Sequence, residues 1–205
     1  MTARIARAAL TMALAWMAGA TAAVAAEPAV VRAPAPGWVD WLPMPAPNPA
    51  RLRQISDGAY DLVVDDQVRM EHGLTRSFRR VATKVIERSG LEGASVEQIN
   101  VDPAYDRLVL HRAAVWRGGR MIDQTASATV EMLRREGQLD DGIVTGERTA
   151  LVRLGDVRVG DIVDIAWSWV EQRSPWPGRV IGDTSLGWSV PVALTRYRQI
   201  GRAHV

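Results

Sequence analysis

The chain contains no cysteine among its 205 residues. This absence excludes disulfides, a thiol nucleophile and thiolate metal ligands within these residues. A domain of this size can be stable on its hydrophobic core alone, so an oxidising compartment would not require disulfides. Lysine is almost absent too, since Lys84 is the single exception among 25 basic residues. GC-rich codon usage explains the excess of arginine more simply than function does.

The charge has no dominant sign. The formal net charge of +2 includes Arg4 and Arg7 in a predicted leader and Arg202 in a C-terminal tail. Without these three, 22 basic residues stand against 23 acidic ones. Proteins that bind nucleic acid carry a basic patch, so the composition argues against a nucleic-acid partner. Apolar residues make up 47% of the chain, which is enough to build a core.

Motifs that carry chemistry are missing. His72 and His111 are the only histidines outside the tail, and a zinc site needs three or four ligands. No G-x-S-x-G or phosphate-binding glycine loop occurs. Asp65-Asp66 lies on a predicted strand, where neighbours point to opposite faces, and Asp140-Asp141 is typical of a turn. We therefore predict no catalytic residue, no cofactor and no metal; a hydrolase with carboxylates facing across a cleft is the weakest alternative.

Residues 1–26 have the pattern of a secretory signal peptide. Arg4 and Arg7 supply the positive end, residues 8–20 are apolar except for Thr11, and Ala23-Val24-Ala25 offers a small-x-small cleavage pattern. The apolar run is short for a bilayer span, although an uncleaved N-terminal anchor is an alternative. The sequence predicts export, and we expect a periplasmic location. Anchoring of the protein to the membrane through a missing C-terminal region is an open alternative.

Residues 27–57 form a predicted proline-rich linker, with seven of the eleven prolines of the chain between residues 27 and 49. Proline fixes φ and removes a donor, so this stretch should be extended. Two tryptophans, Trp38 and Trp41, are unusual in a bare spacer and should pack on the domain, or else dock onto a partner. Trp176, between Pro175 and Pro177, should lie on an exposed loop. These three tryptophans are the candidate binding surface.

From residue 58 to residue 199, short β-like runs alternate with turns. A strand through Leu62–Met70 reaches a turn at Glu71-His72-Gly73, and Phe78–Glu87 is the next strand. Leu108–Trp116 and Met121-Ile122 should form a hairpin around Gly118-Gly119, because glycine tolerates the positive φ of a two-residue turn.

The strand Asp161–Gln172 is strongly amphipathic. Val163, Ile165, Trp167 and Trp169 alternate along it and should face the core. Only Ala128–Leu139 has helical spacing, and an irregular loop is the alternative there. The sequence predicts an all-β, mainly antiparallel fold, a β-sandwich of about eight strands with one short helix.

The order of these short patterns resembles the DUF3857 domain, from about Gly58 to Gln199. Matching segments are Asp65-Asp66-Gln67-Val68 with Gly73, Val85-Ile86 with Gly90-Leu91, Pro103–Tyr105, Leu108–Ala113 before Gly118-Gly119, Leu133–Glu136 with Leu139, Gly142 and Thr145, and Val159-Gly160-Asp161-Ile162-Val163. Each is weak alone, but their order and spacing together are specific.

The resemblance implies a β-sandwich at the N-terminus of an exported bacterial protein whose second domain is transglutaminase-like. The Cys, His and Asp residues of such proteins lie in that following domain, so none transfers to this chain. The resemblance thus implies a non-catalytic accessory domain, with the downstream domain as its partner. The alternative is an independent module that binds envelope glycan or protein.

The tail, residues 200–205, reads Ile-Gly-Arg-Ala-His-Val. Read in codons, these residues correspond to ATC-GGA-AGA-GCA-CAC-GTC, the sequence of a widely used sequencing adapter. An ordinary polar tail is the alternative. We interpret the tail as an artefact and expect the natural protein to continue beyond a last strand at Pro191–Gln199.

Overall fold

The computed structural model describes residues 30–53, 55–134, 146–180 and 191–201. The predicted leader, Asp140-Asp141 and residues 202–205 of the tail lie outside these ranges. The described strands are β1 Val31–Arg32, β2 Ala59–Glu71, β3 Leu74–Val85, β4 Val96–Val101, β5 Asp106–Arg117, β6 Arg120–Asp123, β7 Thr129–Arg134, β8 Arg148–Arg153, β9 Ile162–Glu171 and β10 Val192–Ile200. The all-β prediction is confirmed.

Within the described residues, seven strands form a large sheet in the order β1-β5-β9-β3-β2-β10, with β6 paired to β5. The predicted turn between β2 and β3 is present, and His72 and Gly73 adopt φ values of 52° and 79°. The predicted hairpin between β5 and β6 is also confirmed, with positive φ at Gly118 and Gly119. Both are two-residue turns that match the twist of the strands they join.

Two strand pairs of the large sheet are parallel. Strand β10 pairs with β2 from Val192 opposite Asp61 to Ile200 opposite Arg69, and β1 pairs with β5 through two residues. The predicted last strand is therefore present, at Val192–Ile200. Among the described strands, β10 pairs only with β2, so it forms an edge of the sheet.

A small sheet has the order β4-β8-β7, and it corrects the predicted helix at Ala128–Leu139. Residues Thr129–Arg134 form a strand, while residues 135–139 lie outside the described ranges. Val130 and Met132 pack against the core, whereas Leu133 is 40% exposed. In a helix, Leu133 and Val130 would lie on the same side. The burial of Val130 and the exposure of Leu133 instead follow the two-residue period of a β-strand.

The main core lies between the two sheets. Val163, Ile165 and Trp167 of β9 are buried in it, and Trp169 packs against it half-buried, as their alternation predicted. The small sheet contributes the aliphatic side chains Ile99, Val101, Ala150 and Val152. Burial of apolar surface on both sheets holds them together.

Two short helices were not predicted. Helix α1, Pro49–Leu52, begins after Asn48, whose side chain accepts from the Ala50 N–H, and places proline at its first position. Helix α2, Leu91–Ser95, follows a 3-10 turn at Arg88–Gly90. None of the helices within the described ranges has the length and hydropathy that crossing a bilayer requires.

Gly90 explains why the predicted Ser89-Gly90 turn is tight. A Cβ on Gly90 would lie 2.2 Å from the Gly58 carbonyl oxygen, which accepts from the N–H groups of Ile86 and Glu87. Glycine allows this close approach of two backbones, and it fixes the end of β3 against the start of β2.

Candidate functional site

The outer face of the large sheet, directed away from the small sheet, carries charged and polar side chains that are almost fully buried. Members of this set are at most 2% exposed: Asp65, Gln67, Arg80, Asp164 and Ser168. On β9, Asp164 and Ser168 alternate with core residues, which indicated that they lie on the opposite face of the strand. The alternation gave no reason to expect that these side chains are buried. Buried charges require partners, and the structure supplies them.

Asp164 of β9 is the centre of one charge cluster. Arg80 of β3 donates to it from Nε to Oδ1 at 2.7 Å and from Nη2 to Oδ2 at 3.0 Å. Arg112 of β5 donates at 3.0 Å, and the Trp116 indole N–H donates at 3.1 Å. The two-pronged Arg80 contact fixes both side chains, since a guanidinium matches a carboxylate through two parallel hydrogen bonds.

Asp65 of β2 is the centre of a second cluster. Arg196 of β10 donates to both its oxygens, at 2.7 Å and 2.8 Å, and the Gln67 amide donates at 2.9 Å. Its neighbour Asp66 points to the opposite face and meets Arg79 at 3.3 Å. The prediction that this carboxylate pair is split between faces is therefore confirmed, and the two carboxyls cannot share a proton.

Residues 33–44, which we call the strap, cross this face without a helix or strand and with one turn at Gly37-Trp38, where the Val39 N–H donates to the Pro36 carbonyl at 3.0 Å. The strap is held through its backbone: the Gln67 side chain donates to the Asp40 carbonyl and accepts from the Asp40 N–H, at 2.8 Å and 3.0 Å. The guanidinium groups of Arg80 and Arg198 donate to the Leu42 and Trp38 carbonyls at 2.6 Å and 3.1 Å.

Trp41 anchors the strap. The Arg112 guanidinium carbon lies 3.8 Å from the Trp41 ring centroid, and that of Arg80 lies 5.3 Å away. The Phe78 ring meets the indole edge-on, with centroids 5.4 Å apart. Arginine over an indole face is attracted by the quadrupole of the ring. Thus the linker packs on the domain at Trp41, as the sequence favoured.

The three tryptophans predicted as a binding surface do not come together in one place. Trp38 and Trp41 are half-buried in the strap, whereas Trp176 is 59% exposed on the loop after β9. Only Trp176 thus has the open ring face that stacking on a sugar or peptide requires.

His111 contacts Ser168 beneath the start of the strap. Its Nδ1 lies 2.9 Å from the Ala33 carbonyl oxygen and its Nε2 lies 2.8 Å from the Ser168 hydroxyl. A carbonyl can only accept, so Nδ1 carries the proton and Nε2 accepts from the hydroxyl. Burial lowers the pKa of His111. Ser168 is only 2% exposed, so this contact supports the structure rather than a reaction.

A cleft of about 400 Å³ lies on the other face of the large sheet, at its border with helix α2. Asp61 and Glu97 both line it, together with Arg79 and Thr83. The Thr83 hydroxyl donates to Asp61 at 2.7 Å. Burial, more than any neighbouring charge, raises the pKa values of Asp61 and of Glu97, the latter to about 7. No local pattern indicated that these two carboxyls share a cleft, because 36 residues separate them.

Replacing Glu97 with Gln should stabilise the domain at pH 8 and leave it nearly unchanged at pH 4. The folded pKa of about 7 exceeds the usual 4.5, so folding favours the protonated carboxyl of Glu97. The domain therefore loses stability as the pH rises from 4.5 through 7, where this carboxyl ionises in the folded state. Thermal unfolding should show a higher Tm for Glu97→Gln at pH 8, each kcal/mol being worth about 2–4 °C in a domain of this size. The exposed Glu92, substituted in the same way, is the control; equal shifts at both pH values would contradict the expectation.

Within the described ranges, no group of three or more His, Asp or Glu side chains is arranged to hold a metal ion. The residues that sequence reasoning missed are Arg80, Arg112, Arg196 and Asp164. A charged residue within a mainly apolar strand, such as Asp164 in β9, was the available signal. Its partner Arg80 lies 84 residues away, so the pairing required the three-dimensional structure.

A solved structure of similar fold supports the β architecture. A "putative protease" from Parabacteroides distasonis superimposes with a TM-score of 0.51 at 10% identity, covering 58% of this chain and 24% of that one. Yeast LTA4 hydrolase, native and in complex with bestatin, gives TM-scores of 0.29 and 0.28 at 10% and 12% identity, covering 54% of this chain and 14% of those. This chain thus corresponds to about a quarter of the Parabacteroides protein.

No curated protein matches this chain. The family model described as "Domain of Unknown Function with solved-structure structure (DUF3857)" matches residues 71–200, which is well over half of the chain. The match spans the strands from the end of β2 to the end of β10. It agrees with the resemblance noted in the sequence. The chain belongs to the DUF3857 family.

Proposed function

We propose that this chain is a non-catalytic accessory domain of an exported, transglutaminase-like protein, in which it positions or regulates a catalytic domain that follows it. The observation that carries the proposal is that the buried carboxylates already have partners within the domain. Asp65 and Asp164 are both occupied by arginines of the same domain, and these contacts hold strands and strap together. A catalytic carboxylate would instead need access to a substrate.

Two further observations support the proposal. A transglutaminase-like reaction requires a thiolate nucleophile, and this chain has no cysteine. Among the described strands, β10 lies at the edge of the large sheet, and the backbone groups on the side away from β2 suit pairing with a neighbouring domain. A periplasmic location, which the predicted signal peptide favours, is part of this proposal.

Expression of the chain alone and of the protein encoded by the intact source locus tests this function. We expect the reading frame to diverge at Ile200 and continue into a domain with Cys, His and Asp, and only the longer protein to show transglutaminase or protease turnover. The chain alone should also be less soluble, because the edge of β10 invites association. Activity assays on both proteins, with Cys→Ala in the longer one as control, give the answer. Turnover by the purified chain alone would contradict the proposal.

The exposed ring of Trp176 favours a second candidate, an independent module that binds envelope glycan or protein. The same experiment separates the two. A locus that ends at a genomic Val205 codon, with retention of the chain on peptidoglycan that Trp176→Ala abolishes, would favour the module over the accessory domain.

A further inference from the structure

We infer that the outer face of the large sheet is a binding site for a peptide segment with a tryptophan anchor, and that the strap is its resident, replaceable occupant. The inference goes beyond the accessory function and does not depend on it. Three observations support it: the strap atoms that the sheet contacts, the contacts that orient the side chains of the sheet, and the partial burial of the strap.

The sheet recognises mainly the backbone of the strap. Its side chains donate to carbonyl oxygens at four positions of the strap: Ala33, Trp38, Asp40 and Leu42. Arg196 also donates to the Asp40 carbonyl and pairs with the Asp40 carboxylate at 2.7 Å. Backbone hydrogen bonds of this kind give affinity for an extended peptide of any sequence.

One pocket of the sheet binds the side chain of Trp41. Trp41 lies against Arg112, Arg80 and Phe78, which together offer two cations and one aromatic ring. An indole satisfies both kinds of neighbour, since its face attracts the guanidinium and its edge suits the phenyl ring. The expected ligand class is therefore a peptide with tryptophan at this position and a carboxylate directly before it, which Arg196 contacts in the strap.

The receptor side chains are oriented by residues of the sheet itself. Asp164 holds Arg80 and Arg112, while Asp65 holds Arg196 and Gln67. Asp164 and Asp65 belong to β9 and β2, so the contacts that orient these arginines do not involve strap atoms. A receptor that is organised before binding loses little entropy when a ligand arrives.

The strap lies at the surface of the domain. Every residue from 33 to 44 is half-buried or exposed, although Leu42 and Met44 pack against a small apolar cluster, and the adjoining strand β1 forms two register pairs with β5. Pro34, Pro36 and Pro43 restrict the released segment, which lowers the cost of docking again. Segments without fully buried residues open at a lower free energy than the core.

The test uses the full chain with a site-specific protease sequence inserted between Ala46 and Pro47, after the strap. After cleavage, the N-terminal piece should remain with the body during size-exclusion chromatography at micromolar concentration. An excess of a synthetic peptide spanning residues 30–46 should displace it. The same peptide with Trp41→Ala should need about tenfold more, the effect of one lost cation–aromatic anchor. A peptide with Trp38→Ala is the matched control and should act nearly as well as the original.

Separation of the cleaved piece from the body at micromolar concentration would overturn the inference, as would equal displacement by the original and Trp41→Ala peptides. Hydrogen exchange on the unmodified chain provides a second measurement that does not depend on the insertion. The Asp40 N–H, bound to Gln67, should exchange much faster than the amides of β9. Equal protection of the two would show that the strap is not replaceable.

Discussion

Replacing Asp164 with Ala should lower the free energy of unfolding by about 3–5 kcal/mol, the usual loss when one partner of a buried ion pair is removed. The carboxylate is fully buried and receives donors from Arg80, Arg112 and Trp116. Without it, the Arg80 guanidinium, itself 2% exposed, keeps its charge in a site of low polarity. Urea unfolding followed by circular dichroism measures the loss.

A double variant provides the control for this experiment. Arg80→Met combined with Asp164→Leu removes both charges, so it should be more stable than Asp164→Ala alone. Asp156→Asn, which neutralises an exposed carboxylate paired with Arg158 and Arg117 and tolerates the positive φ of 51° there, should change the free energy of unfolding far less. A loss for Asp164→Ala as small as that of Asp156→Asn would show that the buried cluster does not stabilise the fold.

Replacing Trp167 with Ala should lower the free energy of unfolding by about 3–5 kcal/mol, the usual loss for a large aromatic side chain in a core. Trp167 is 2% exposed at the centre of the main core, and its ring meets Trp169 edge-on at 5.7 Å. The substitution leaves a cavity between the two sheets that the surrounding β-strands cannot close. Thermal and urea unfolding should both register the loss.

Two phenylalanine variants separate packing from hydrogen bonding in the same measurement. The Trp167 indole N–H is buried and has no hydrogen-bond partner among the described residues, whereas the Trp169 N–H donates to the Asn100 carbonyl at 2.8 Å. Trp167→Phe should therefore retain most of the stability, while Trp169→Phe also loses a hydrogen bond. An unchanged melting curve for Trp167→Ala would contradict its place in the core.

Local patterns predicted much of the fold. The glycines at 118 and 119 located a hairpin, and the alternation from Val163 to Trp169 identified the inner face of β9 correctly. These signals work because turn geometry and strand period act over a few residues. The parallel pairing of β10 with β2 was not predicted, since partners such as Tyr197 and Asp66 lie more than 100 residues apart and no local rule sets their register.

The candidate site was predicted only in part. Trp41 was expected to pack on the domain, but its neighbours Arg80 and Arg112 were not identified, because a charged residue on a strand is normally expected to face water. Burial of these arginines depends on Asp164 and on the strap, which come from distant parts of the chain. Their interaction is therefore a property of the assembled sheet and not of any one segment.

The parallel arrangement of β2 and β10 also determines how the domain would respond to mechanical tension. Ala59, at the start of β2, and Ile200, at the end of β10, lie at opposite ends of the pair. A force pulling these two points apart would load the hydrogen bonds between the strands together, in shear, and would not unzip them one at a time. The pairing of β1 with β5 spans two residues, whereas that of β10 with β2 extends from Val192 to Ile200, so tension should release the strap before it separates β10 from β2.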